Sequence, residues 1–180
     1  MYLPTAFIGS QRKKFLGKDC LTWDEVRALK SDGARFGSHT VNHPKLYQLS
    51  WPEIEKELRD SKSQIERELG TECGSFTYPY AFPQEDTVFT SRFAELLKRL
   101  GYHHCNTTVI GRLRSGDDVF KIKRLPANDC DDRALFTAKL AGNYDWMGRM
   151  QTTFRRLKRI LRVGPARPVD LSATPAHAAA

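Results

Sequence analysis

Two of the five histidines stand four residues apart in the segment FGSHTVNHP (residues 36–44), as His39 and His43. A neutral imidazole nitrogen is a good zinc ligand, and two converging imidazoles supply half of a four-coordinate site. A single helical turn between them would bring both rings to one side. Taken alone, the spacing also fits two unrelated surface histidines. The surrounding chain has to decide between these readings.

The elements around the pair alternate in type. LPTAFIGS reads as a short buried strand. LTWDEVRALKSDG reads as a helix capped by Thr22, with Glu25 completing a capping box and Gly33 stopping it. ARFGSH is a second strand, running into the histidine loop. LSWPEIEKELRDSKSQIERELG is a longer helix, with Ser50 as its cap, Pro52 in the first turn, and Ile54, Leu58, Ile65 and Leu69 along one face. The strands SFTYP, YHHCNTTV and VFKIKRLP follow, with helices over TVFTSRFAELLKRLG and DRALFTAKLAG. This alternation predicts parallel βαβ units, in which loops at the strand ends carry the chemistry.

At 180 residues, the chain suits one domain with one core. It contains no apolar run of membrane-spanning length, and its first residues show no secretory pattern, which makes the cytoplasm the default expectation. Cys20, Cys73, Cys105 and Cys130 form no CxxC pair, so they are expected to be buried free thiols rather than zinc-ribbon ligands. The net charge is +8, and residues 149–162 (RMQTTFRRLKRILR) hold six basic side chains and no acidic ones. Met147, Met150, Phe154, Leu157 and Leu161 recur there at helical spacing. Such a basic amphipathic helix can lie on a membrane surface, or it can pack its apolar side on the domain and leave the basic side solvated; packing is the expectation. No zinc finger, RNP signature or GXXG loop accompanies it, so no nucleic-acid partner is expected. Residues 164–180, rich in Pro and Ala, are expected to be disordered.

A strand ending in Gly-Ser-His-Thr-Val-Asn-His-Pro, after a helix closing in Asp-Gly, resembles the polysaccharide deacetylase family (carbohydrate esterase family 4, the NodB-like deacetylases). FTYPYAFP, GYHHCNTTVIG and KIKRLP resemble the family's next strands, in order, so the resemblance runs from about Leu3 to Trp146. It implies a distorted (β/α) barrel over residues 1–146, followed by the helix (147–163) and the tail (164–180). It implies a metal-dependent hydrolase, most plainly a zinc enzyme, that removes N-acetyl groups from an amino-sugar glycan. His39 and His43 would be metal ligands, the backbone N–H of Tyr80 the oxyanion donor, and Thr40, Pro79 and Tyr80 would line the substrate groove.

The family's opening strand carries Thr-Phe-Asp-Asp-Gly, whose two aspartates supply the general base and the third metal ligand. This sequence contains no such run, and LPTAFIGSQ resembles the family's second strand. The expectation is an incomplete barrel from a fragment of a longer deacetylase, inactive alone. The alternative is a non-catalytic module binding glycan or an anionic surface. Thr77 stands where many members have Arg, Ala81 stands where Gly is usual, and no Leu-x-His supplies the family's acid. His103 and His104 sit on a different strand and His177 in the tail. Asp32 reads as a helix-ending residue, and Asp117 and Asp118 as solvated loop charges.

Overall fold

The computed structural model describes residues 1–161. The described residues form seven strands: β1 (Tyr2–Leu3), β2 (Lys14–Phe15), β3 (Lys18–Asp19), β4 (Gly37–Ser38), β5 (Ser75–Thr77), β6 (His104–Ile110) and β7 (Ile122–Arg124). The helices are α1 (Trp23–Ser31), α2 (Trp51–Leu69), α3 (Thr87–Arg99), α4 (Arg133–Ala141) and α5 (Asp145–Leu161). Five strands form one parallel sheet in the order β1-β4-β5-β6-β7, and β2 and β3 form a separate hairpin. The sheet does not close, which makes the fold an incomplete (β/α) barrel. The disorder expected for 164–180 lies outside the described residues.

Local chemistry sets the helix boundaries. Thr22 with Glu25 and Ser50 with Glu53 both form capping boxes, and Asp86 and Asp132 cap α3 and α4. Ile54, Leu58, Ile65 and Leu69 of α2 are buried, as their spacing predicts. The core lies between the sheet and α2 and α3. Phe76 packs on Phe93 and Tyr102, Tyr78 on Phe82 and Phe93, and the Tyr102 hydroxyl donates to Leu58 O at 2.9 Å. Burial of each such side chain contributes about 1.5–3 kcal/mol.

The other face of the sheet is polar and curled. The Asn106 amide donates to the Tyr2 hydroxyl, although the two residues lie on the first and fourth strands in spatial order. Across a flat sheet their backbones would stand ~14 Å apart, with side chains projecting in parallel. Only curvature toward a barrel brings them into contact. Gly37 permits that tightness, because a Cβ there would lie 2.3 Å from Ser75 Oγ and 2.6 Å from the Tyr2 ring.

The expected first strand is shorter than its apolar run suggests. Pro4 lacks an N–H and cannot continue the ladder, so Thr5–Phe7 turn into a 3₁₀ segment.

Candidate metal and substrate site

His39 follows β4 directly, at the C-terminal end of the parallel sheet. The loop after it does not make the helical turn that the His-x-x-x-His spacing suggested. Thr40 and His43 instead adopt left-handed backbone conformations, with φ of 70° and 54°. Tyr80, in the loop after β5, shares this feature with φ 56°. Non-glycine residues in this region are strained, and such strain collects at functional sites.

Several bonds hold the loop in this shape. Thr40 is fully buried; its hydroxyl donates to His39 O and accepts from His43 N at 3.0 Å. Thr5 N donates to Thr40 O at 3.1 Å and Ala6 N to Val41 O at 3.0 Å. From α2, the Glu57 carboxylate accepts Val41 N at 2.8 Å, Asn42 N at 2.9 Å and Asn42 Nδ2 at 2.6 Å.

The two imidazoles converge. Nε2 of His39 and Nε2 of His43 are 3.1 Å apart. Two nitrogen ligands of a tetrahedral zinc ion lie about 3.3 Å apart, so the pair matches two corners of such a site. The His39 ring is oriented by Nδ1–H donating to Thr77 O at 2.7 Å, which leaves the lone pair on Nε2. Burial lowers the His39 pKa to about 4 against the opposing Thr77 bond, and the charges of His43 and Arg124 lower it further. Burial also lowers that of His43. Both rings are therefore held in the neutral form that binds metal.

No polar partner fixes His43 in the same way. Its Nδ1 is buried and has no hydrogen-bond partner among the described residues. Packing sets this ring instead: it lies between Phe15 (5.3 Å) and Tyr80 (4.7 Å), with Phe7 behind Phe15 at 4.5 Å. Phe15 belongs to the β2–β3 hairpin, which the sequence reading missed. The hairpin's Leu16-Gly17 turn has φ of 50° and 78°, the combination of a type I′ turn, in which Leu is an unusual occupant. The one sequence signal was Gly17 between two basic, aromatic-containing stretches. Glu57 was missed as well, being one of many charges on a long helix.

The remaining expected residues separate clearly. Pro79 is buried, while Tyr80 is exposed beside the histidines with Lys45 6.0 Å from its ring. Among the described residues nothing accepts from the Tyr80 N–H. Thr40 shapes the loop and does not face the groove surface. Asp32 ends α1, as expected. Asp117 accepts from Arg114 N at 3.0 Å and pairs with Lys123, and Asp118 caps the turn at Val119–Lys121. His103 pairs with Glu72 on the surface. Among the described residues no third His, Cys, Asp or Glu joins the histidine pair. A cavity of about 430 Å³ opens between α5 and the ends of β6 and β7, lined in part by Gln84, Arg112, Trp146 and Thr152.

No curated protein matches this sequence significantly. Solved structures do resemble it. A polysaccharide deacetylase from Bacillus cereus superposes with a TM-score of 0.62 at 20% identity, over 77% of this chain and 40% of that one. The Streptococcus pyogenes deacetylase PplD, solved with acetate, gives 0.58 at 24% identity, over 69% and 52%. A de-N-acetylase from Aggregatibacter actinomycetemcomitans gives 0.51 at 19% identity, over 72% and 59%. At these identities the likeness establishes the fold, and the chain spans about half the length of these proteins. In sequence, residues 3–105 match the polysaccharide deacetylase family model, a stretch that covers the histidine loop and the Pro79-Tyr80 turn. The chain belongs to the polysaccharide deacetylase family.

Proposed function

We propose that residues 1–161 form the metal-binding and oxyanion side of a deacetylase acting on an N-acetylated glycan. The observation that supports this best is the His39–His43 pair, preorganised at 3.1 Å with one tautomer fixed by Thr77 O. A divalent cation held there, zinc by the chemistry of the two imidazoles, would supply Lewis acidity at an amide carbonyl. The chain's own groups provide the rest. The N–H of Tyr80, whose ring packs on His43, would donate a hydrogen bond to the oxyanion developing from the carbonyl oxygen. The exposed Tyr80 ring, packed against His43, suits the face of a pyranose ring of the substrate.

Hydrolysis adds water's oxygen to the acyl carbon and returns a proton to the amine. It therefore needs a base and an acid. The described residues bring no carboxylate to the histidines. These groups, and a third ligand, would come from outside residues 1–180, on a longer form of the chain or on a partner.

The test is acetate release from N-acetylglucosamine oligomers, with and without zinc or cobalt, by residues 1–180 and by an upstream-extended form carrying paired aspartates. Turnover by the extended form alone supports the proposal. Oligomer binding without turnover by either form favours a glycan-binding module instead. Robust turnover by residues 1–180 alone refutes the idea of outside carboxylates.

A further inference from the structure

Helix α5 meets the domain with its polar side. Gly148 lies against β6 so closely that a Cβ would stand 2.3 Å from Ile110 O. Gln151 accepts from Ile110 N at 3.2 Å and donates to Thr108 O at 3.1 Å, pairing with β6 beyond the end of β5. Gln84 donates to Thr152 at 2.7 Å, and Arg155 donates to Phe82 O at 2.5 Å. Asp145, at the start of the helix, is clamped by Arg112 and Arg114.

The apolar stripe consequently faces away from the sheet. Trp146, Met150, Phe154 and Leu157 are 56%, 45%, 57% and 51% exposed. Their spacing of four, four and three residues puts them on one side of the helix. This reverses the usual arrangement, in which a surface helix buries its apolar stripe, and it overturns the expectation that the apolar side packs on the domain.

We propose that α5 is a docking surface for an anionic lipid bilayer. The helix would lie in the interface plane with Trp146, Met150, Phe154 and Leu157 at the boundary of headgroups and acyl chains. Charge favours lipid over a second copy. Residues 149–162 carry six basic side chains and no acidic ones, so two copies meeting through α5 would bring like charges together. An anionic headgroup layer complements the same segment. The inference rests on the orientation of α5 and is independent of the deacetylase reading.

The experiment is flotation of the full chain with phosphatidylcholine vesicles, and with vesicles containing about one-third phosphatidylglycerol. Binding is expected to the mixed vesicles only, weakening with salt. Binding should shift tryptophan emission to the blue. The signal reports on Trp146, because Trp23 is buried and Trp51 stacks on Phe89. The double variant Phe154→Ser, Leu157→Ser alters exposed side chains only and is expected to lose binding by about tenfold or more with an unchanged circular dichroism spectrum. Three results overturn the proposal: no vesicle binding by the wild type, equal binding by the double variant, or a dimer in light scattering that the double variant dissociates.

Discussion

Nε2 of His43 lies 3.1 Å from Nε2 of His39, yet the two rings are held by different means. A backbone carbonyl fixes His39, while packing between Phe15 and Tyr80 sets the His43 ring, whose Nε2 meets only its partner histidine among the described residues. Two ligands can capture a zinc ion, although loosely, since catalytic sites ordinarily supply three from the protein. Calorimetry should show weak zinc binding by residues 1–180, and His39→Ala and His43→Ala should each reduce it by at least about tenfold. Equal affinities in the wild type and the variants would remove the pair as ligands.

Phe15 should matter to that affinity without touching the ion. Phe15→Ala removes one wall of the His43 ring and frees it to rotate. Zinc affinity should fall about tenfold, the range seen when support for a ligand is lost. Phe15→Leu, which restores an apolar wall, should recover most of it. If the alanine variant binds as well as the wild type, the hairpin has no part in the site.

Glu57 should act through the loop's shape. Its carboxylate satisfies the amides of Val41 and Asn42. Glu57→Ala leaves those donors without it and should cost about 1–3 kcal/mol in urea denaturation. Amide exchange at Val41 and Asn42 should quicken, whereas exchange in α3 and β6 should change only as the global stability does. A variant as stable as the wild type would show that water replaces the carboxylate at no cost.

The histidines should also make stability pH-dependent. The folded state lowers the His39 pKa to about 4 and lowers that of His43, while the unfolded chain protonates both near the ordinary value of 6.5. The folded state thus resists protonation. Its contribution is fully present above 6.5 and is lost as pH falls toward 4. Urea midpoints measured in chelator should fall across this window, and His39→Gln should flatten the fall. Parallel profiles in the two proteins would contradict the assignment.

Much of the scaffold could be read from local chemistry. Thr22 with Glu25 and Ser50 with Glu53 announced their helices, and the apolar positions of α2 went to the core. The histidine pair was legible because its residue types and neighbours are distinctive. The backbone that unites the pair was not, since Thr40 and His43 enter the left-handed region only under the grip of Thr5, Ala6 and Glu57, which are distant in sequence. The hairpin escaped notice because Leu16 occupies a turn position that usually shows Asn or Gly. For α5, periodicity gave the two faces, but the direction each would point depended on Gly148 and Gln151 meeting β6. Sequence spacing carries no information about such a contact.

The atom that orients His39 is the main-chain oxygen of residue 77. Every amino acid brings that oxygen, so no codon change can delete it. A saturation screen at this position would score the fit of side chains in a buried strand and would register nothing of the bond to the imidazole. One of the groups closest to the proposed chemistry is thus genetically silent, and it can be altered only by chemical synthesis that replaces the peptide link between residues 77 and 78 with an ester.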